Sequence, residues 1–356
     1  MDSHVSAAPR LELHTCDVGG RRVSCRPVSR VFSGIQPTGD LHLGNLLGAV
    51  ANWVRGLDDT NDDAVFCIVD LHALTIPKDP EDLRSRTLQL AQLLIAAGLD
   101  PERCTLFVQS HVPEHTQMAW LMECTASYGE LSRMTQFKEK RERAEFISAG
   151  LFTYPALQAA DVLLYDTEKV PVGDDQRQHI ELCRDVAERF NARYGETFVV
   201  PEHAIPAAGA RVMDLQQPQS KMSKSLESPQ GTVLVLDDPK DVERKFKRAV
   251  TDSDSEVRFD PVTKPGVSNL LSIIAAATGR DVETVASGYS QYGPLKADAA
   301  AAVIELLAPI QTRYRTLSSD PAETARLLGL GAAKARGIAS TTMTRARTAI
   351  GLVTPA

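Results

Sequence analysis

The sequence predicts an α/β protein in which a doubly wound parallel sheet fills the N-terminal half and an all-helical segment completes the chain. Three observations carry this. Strand-length and helix-length patterns alternate from Arg30 to Gln109, the order that builds a parallel sheet covered by helices. Ala64–Asp70 (AVFCIVD) is apolar almost throughout instead of alternating, as in a strand buried on both faces. Beyond about Pro239 the alternation stops, and Ala-rich stretches at Ile273–Ala277, Ala297–Leu307 and Ala332–Ala335 fit a helical bundle.

Residues 1–28 mix Arg, His, Gly and Ser with no apolar run, so they read as a flexible extension and not as a secretory leader. Arg30–Gln36 (RVFSGIQ) is the first strand, and Pro37-Thr38-Gly39-Asp40 is a tight turn. A helix follows, with Leu46, Val50, Trp53 and Leu57 along one face. Ala64–Asp70 is the second strand, Leu83–Gly98 a helix ending at a glycine cap, and Thr105–Gln109 the third strand. From about 112 to 166 the pattern is that of a helical insertion carrying a charged stretch, Lys138–Glu145. Val170–Val172 is a short strand that leads through Gly173-Asp174-Asp175 into a helix with Ile180, Cys183, Ala187 and Phe190 on one face. A loop spans about Ser220–Pro229. The expected division is therefore an extension (1–28), an α/β domain (29–232) and a helical domain (233–352).

With 356 residues the chain has room for two domains at roughly 150 each. An apolar content of 43% and a charged content of 24% exclude disorder for its bulk. The 39 basic and 46 acidic side chains leave a net charge of −7. That excludes a globally basic nucleic-acid coat and leaves room for a local basic patch. No apolar run approaches the roughly 18 residues of a membrane span, so a cytoplasmic protein without a membrane partner is expected. The six cysteines, Cys16, Cys25, Cys67, Cys104, Cys124 and Cys183, form no C-x-x-C pair. Buried, reduced thiols are expected, not a zinc site or disulfide framework.

Two segments carry chemistry. In Ser33–Asn45 (SGIQPTGDLHLGN) a glycine-bearing turn between strand and helix lets backbone N–H groups approach a phosphate. His42 and Asn45, three apart, share a face of the first helical turn. Alone, such a turn serves equally as a structural loop. The second segment, Lys221-Met222-Ser223-Lys224-Ser225, sets two lysines in a loop, and alone it is a solvated charged loop. Taken together and in this order, His42-Leu43-Gly44-Asn45 resembles the HIGH signature and residues 221–225 match the KMSKS signature of class I aminoacyl-tRNA synthetases.

The resemblance narrows further. SGIQPTGDLHLGN, FCIVDLHALT, GELSRMTQFKEK, YPALQAADVLLYDTEKVPVGDDQRQHIELCRDVAERFN and KMSKS are similar to the bacterial-type tryptophanyl-tRNA synthetase family, over roughly Arg30 to Gly351. The resemblance implies a class I Rossmann-like nucleotide-binding domain and an all-α anticodon-binding domain. It implies a ligase that activates L-tryptophan with ATP and passes it to the 3′ end of its tRNA. Mg²⁺ would ride on the ATP phosphates with no protein metal site, and the enzyme would be a homodimer with tRNA crossing between subunits. The tryptophan carboxylate is itself the nucleophile on the α-phosphate, so the protein must supply position and positive charge.

By the same resemblance, Lys221 and Lys224 supply that charge, Lys140 adds to it on the pyrophosphate side, and His42 and Asn45 assist. Gln36, Pro37, Thr38, Gly44 and Asn45 would surround the ATP phosphates and ribose, with Gly173, Asp174 and Asp175 facing the ribose. Val212 and Met222 would hold the adenine, within a loop that includes Ser223 and Ser225. For tryptophan it nominates Phe32, Gly34, Val69, His72, Tyr154, Gln158, Asp161, Val170, Val172 and Gln176. Indole offers one N–H donor on a flat apolar body, so its site needs one acceptor among apolar walls, and Asp161 is that acceptor. Tyr154, Gln158 and Asp161 fall at i, i+4 and i+7 on one helix face. Gln158 and Asp161 are placed for the amide to donate to the carboxylate.

Position 42 carries histidine where this family usually has threonine, and position 158 carries glutamine where it usually has methionine. About 175 residues separate Asn45 from Lys221, too few for an editing insertion, and a demanded indole N–H makes one unnecessary. Lys240, Arg244, Lys245, Lys247 and Arg248 form a basic cluster able to meet tRNA phosphates or simply to face solvent. A tyrosine-charging enzyme of the same class and a non-charging tRNA-binding paralogue stand as the alternatives.

Overall fold

The structure is a computed structural model that describes residues 14–18, 21–25, 29–60, 62–138, 146–171, 173, 176–204, 211–222, 229–254 and 256–353, with the backbone alone at 14–18 and 21–25. Within the segment expected to be a flexible extension, β1 (His14–Val18) and β2 (Arg21–Cys25) pair antiparallel. The sequence puts Gly19-Gly20 between them, a pair that two-residue hairpin loops favour.

The main sheet contains β3 (Arg30–Ile35), β4 (Asp63–Ile68), β5 (Thr105–Val108), β6 (Lys169–Pro171) and β7 (Glu202–Ala204). Its order is β5-β4-β3-β6-β7, and every pairing is parallel. The chain runs outward from β3 through β4 to β5, then returns to the other side of β3 for β6 and β7. This is the expected doubly wound sheet, with a topological switch point between β3 and β6, where such folds bind ligands. β7 is three residues long, two of them polar, and too short for any periodicity to announce it.

Each strand feeds a helix for local reasons. The turn after β3 is possible because Gly39 takes φ +66°, in the left-handed region. The helix beyond it begins as α1 (Leu43–Asn45), passes through one π-helical turn (Leu46–Val50) and continues as α2 (Ala51–Asp59). The wide turn keeps Leu46, Leu47, Val50 and Trp53 all facing the core. After β4 and the short α3 (Asp70–Ala73), Asp79 caps α4 (Pro80–Ala96) by accepting from the N–H groups of Glu81 and Asp82. α5 (Glu114–Thr125), α6 (Tyr128–Arg133) and α7 (Ala149–Leu163) follow β5, and α8 (Arg177–Tyr194) follows β6.

The C-terminal segment is helical as expected: α9 (Pro239–Lys247), α10 (Pro265–Thr278), α11 (Val282–Ala286), α12 (Tyr292–Ser318) and α13 (Pro321–Ala349). The period-2 alternation of β4 divides the core. Phe66 and Ile68 point to one side, with α2, α4 and helices α9 to α12, while Val65 and Cys67 point to the other, with α5, α7 and α8. α13 covers the outer strand β5. A Cβ on Gly331 would stand 1.8 Å from the Leu106 carbonyl oxygen, so only glycine lets this helix close the edge. Among the described residues no helix is long and apolar enough to cross a membrane.

Candidate active site

The C-terminal ends of β3 and β6 flank the switch point. Gln36 and Thr38 are exposed there, whereas Pro37 is buried in the turn. The chain then lies against residues 233–235: Leu43 N–H donates to the Val233 carbonyl at 2.8 Å, and Val235 N–H to that of Leu41 at 2.9 Å. His42 is buried and caps α1. Its Nδ1 accepts from the Asn45 N–H at 3.2 Å, while Asn45 Oδ1 accepts from the His42 N–H at 3.5 Å. A capping box needs a side-chain acceptor at its first position, and histidine in place of threonine keeps one.

Gly44 joins the two signatures. A Cβ at this position would come within 3.0 Å of His42 Nδ1 and 3.4 Å of Met222 Cβ, so Met222 packs directly on the first turn of the helix. Met222 and Val212 are both buried, at 1% exposure, and Met222 N–H donates to the Val212 carbonyl at 3.1 Å. Lys221 points the other way and is exposed. The first lysine therefore starts from a buried anchor beside the first turn of α1.

Asp161 organises a second, buried cluster. At 2% exposure, its Oδ1 accepts from Gln109 Nε2 at 2.6 Å and from His115 Nδ1 at 2.6 Å, and its Oδ2 from His72 Nε2 at 2.8 Å. The far side of His115 meets Tyr165 Oη at 2.8 Å. A proton on Nδ1 lets His115 donate to the carboxylate while its other ring nitrogen pairs with the phenol. Burial by itself would raise the Asp161 carboxyl; hydrogen bonds from His115 and His72, with their charge, outweigh it and hold the group below the usual carboxylate range. Burial, then the Asp161 charge, pushes the Cys67 thiol up, so it stays an inert thiol.

The helix stripe that carries Asp161 faces inward and not into solvent. Tyr154 is buried, with its Oη 2.8 Å from His179 Nε2 and its ring edge-on to His72, centroids 6.2 Å apart. Gln158 is half-buried, and here the expected bond to Asp161 is not the one formed. Its Nε2 donates instead to Gln176 Oε1 at 3.5 Å. Asp161 is already surrounded by donors from β5's end and α5, so the shorter reach along the helix loses. Gln176 is fixed by its N–H, which donates to the Gly173 carbonyl at 2.9 Å. Phe32 is buried and stacked on Tyr165 at 5.6 Å, Val170 is buried in β6, and Val69 fills the space beside Gly34, where a Cβ would meet its Cγ1 at 3.0 Å. Lys140, Val172, Asp174, Asp175, Ser223, Lys224 and Ser225 lie outside the described residues.

Gln109, His115 and Tyr165 were not anticipated from the sequence. Gln109 does follow the last residue of β5, at the strand ends where doubly wound sheets bind ligands, and that position alone could have nominated it. Two further expectations change. Lys245, counted in the basic cluster, is buried; its Nζ donates to the Thr232 carbonyl at 2.8 Å and to Asp237 Oδ2 at 2.6 Å. It braces the segment before α9 and is unavailable to a phosphate, while Lys240, Arg244, Lys247 and Arg248 are exposed. Of the cysteines, Cys67, Cys104 and Cys183 are buried free thiols, but Cys124 is exposed because it falls on the outer face of α5.

A family model for tRNA synthetases class I (W and Y) matches residues 25–308. The chain is 52% identical over 328 residues to the tryptophan–tRNA ligase of Caldanaerobacter subterraneus subsp. tengcongensis, covering 92% of this chain and 99% of that one. Among solved structures it resembles the tryptophanyl-tRNA synthetase of Mycoplasma pneumoniae, with 34% identity, a TM-score of 0.85 and coverage of 92% and 98%. It also resembles that of Campylobacter jejuni complexed with ADP and tryptophan, with 33% identity, a TM-score of 0.78 and coverage of 91% and 100%.

Proposed function

The chain belongs to the class I tRNA synthetases for tryptophan and tyrosine, and from that premise we propose how its residues perform tryptophan–tRNA ligation. The observation that carries the reading is the packing of Met222 on Gly44, which closes the two signature segments on each other at the switch point. ATP enters there. The tryptophan carboxylate attacks the α-phosphorus, pyrophosphate leaves, and a ribose hydroxyl of the tRNA 3′ end then displaces AMP from the acyl carbon.

The backbone around Gln36, Pro37, Thr38, Gly44 and Asn45 approaches the phosphates, and Lys221 and Lys224, with Lys140, meet the charge that develops on departing pyrophosphate. Asp174 and Asp175 take the ribose side, with Asp175 accepting from a ribose hydroxyl. Mg²⁺, carried in on ATP, would neutralise phosphate charge. The described side chains near the phosphates, Thr38, Asn45 and Lys221, are a hydroxyl, an amide and an ammonium, which suits an ion carried by its substrate and not by a carboxylate cage.

Tryptophan lies between β3 and α7. Phe32, Gly34, Val69, Val170 and Val172 give apolar walls, and Tyr154, Gln158 and Gln176 line the rest. Asp161 accepts the indole N–H through Oδ2, the oxygen that carries one protein donor while Oδ1 carries two. His72 steadies that oxygen.

Residues 29–232 form the catalytic part, and 233–352 bind the anticodon, with Lys240, Arg244, Lys247 and Arg248 as phosphate contacts. The working enzyme is a cytoplasmic homodimer. In support, Leu74, Ile76, Tyr128, Phe146 and Ile147 are exposed. They are joined through Ser148, whose hydroxyl donates to the Thr75 carbonyl at 3.0 Å, and Phe152, whose ring lies 5.4 Å from that of Tyr128. An apolar patch of this kind marks an association surface. Amino-acid-dependent ATP–pyrophosphate exchange tests the substrate: tryptophan should support it and tyrosine should not, and the reverse would reassign the enzyme within its family.

A further inference from the structure

Lys221 depends for its position on a residue far away in the helical segment. Residues 212–222 form a narrow antiparallel loop: Met222 N–H donates to the Val212 carbonyl at 3.1 Å, and Asp214 N–H to the Ser220 carbonyl at 2.9 Å. Met213 and Lys221 face each other between those two bonds. In such a pair the two backbones exchange no hydrogen bond, and the N–H and C=O of each residue point outward.

Met213's outward groups meet one side chain. Asn269, buried in α10, accepts from the Met213 N–H through Oδ1 at 2.9 Å and donates from Nδ2 to the Met213 carbonyl at 2.9 Å. A side-chain amide that pairs both main-chain groups of one residue acts as a single residue of a third strand. It can do so only at one height and one orientation.

The mount is rigid on both sides. Leu270, Leu271, Ile273 and Ile274 on the same helix are at most 3% exposed, and Lys264, just before it, donates to Asp252 at 3.0 Å and to Asp254. On the loop side, Asp214, 1% exposed, accepts from the N–H groups of Gln216 and Gln217 at 2.8 and 2.9 Å. A Cβ on Gly231 would overlap the Asp214 carboxylate, at 1.9 Å from Oδ1, so glycine leaves the room it occupies.

We propose that Asn269 is a positioning residue for amino-acid activation: by clamping the Met213 peptide it sets the register of the opposite residue, Lys221, and so the starting point of the signature loop. The inference rests on the assignment of Lys221 to the departing pyrophosphate. Asn269 touches no substrate and acts through Lys221 alone.

The test is a double-mutant cycle on the full-length enzyme, with Asn269→Ala, Lys221→Ala and the double variant assayed by tryptophan-dependent pyrophosphate exchange. Tryptophan binding without ATP is followed by equilibrium dialysis. Asn269→Ala should lower kcat on the order of 10–100-fold, the scale of an ångström-sized misplacement, and leave tryptophan affinity within about twofold. In the Lys221→Ala background the same change should have little further effect, because the groups act as one unit. If Asn269→Ala weakens tryptophan binding and exchange in equal proportion, or its effect simply adds to that of Lys221→Ala, Asn269 is only structural and the proposal falls. Should Lys221→Ala by itself leave exchange unchanged, the lysine assignment is what fails. Asn269→Asp, which keeps the acceptor and the shape but sets an oxygen against the Met213 carbonyl, is carried through the same cycle in case the alanine variant does not fold.

Discussion

Asp161→Asn tests the acceptor proposed for indole. In the structure the carboxylate is 2% exposed; Oδ1 takes two donors, from Gln109 and His115, and Oδ2 takes one, from His72. Four lone-pair directions are available to a carboxylate, and the one that remains on Oδ2 is assigned to the indole N–H. The asparagine keeps the volume but turns one oxygen into an N–H₂ donor. Retaining oxygen at the Oδ1 position satisfies Gln109 and His115, so the amide nitrogen must face His72 and the indole. An indole N–H left buried without an acceptor costs roughly 1–3 kcal/mol, which is about 5- to 150-fold in kcat/KM at 1.36 kcal/mol per factor of ten. The assay is pyrophosphate exchange with tryptophan and with its benzothienyl analogue, in which sulfur replaces the N–H. Wild type should prefer tryptophan, and Asp161→Asn should erase that preference by losing activity on tryptophan while the analogue loses much less. Equal losses on both substrates would refute the reasoning, since Asp161 would then support the pocket without meeting the indole nitrogen.

Lys221→Ala should reduce the exchange rate by about 100- to 1000-fold, the usual effect of removing one donor to developing charge, with tryptophan dissociation nearly unchanged in equilibrium dialysis. Gln158→Met removes the 3.5 Å bond to Gln176 and replaces a polar wall by an adaptable apolar one; exchange should stay within about tenfold, while inhibition constants of indole-ring analogues shift, and no shift in either would place residue 158 outside the pocket. Glu130 is held at about 2 chiefly by its hydrogen bonds from Arg189, against opposing burial and with help from Ser127. A carboxylate depressed in the folded state adds stability that is complete above its unfolded value near 4.5 and is lost as pH falls from there through about 2. Urea titrations should therefore show Glu130→Gln less stable than wild type by about 1 kcal/mol at pH 7, with the gap narrowing as pH falls from 4.5 towards about 2, whereas a gap as large at pH 2 as at pH 7 would contradict the assignment.

The three strands and two long helices from Arg30 to Gln109 were legible in the sequence because each is an unbroken run of its own pattern, whereas the four residues of α3 (Asp70–Ala73) show none. The signatures at 42–45 and 221–225 were legible because their chemistry needs those residues in a short run. Asp161 was nominated by the family resemblance; its spacing to Tyr154 and Gln158 on one helix face agrees with that, but by itself reads equally as a solvated face. Its donors could not be found that way. Gln109 stands 52 residues before Asp161 and His115 stands 46 before it, on different elements, so no local pattern joins them. The same limit hid the clamp of Asn269 on Met213, 56 residues apart, and turned Lys245 from a phosphate contact into a buried brace. Composition records which charges a helix carries, but only the packing of neighbouring chains decides which of them still meet water. Local sequence thus determined the longer elements and nominated the candidate groups. The tertiary structure decided which groups hold one another in place, because hydrogen bonds across a core form between residues that the chain brings together only when it folds.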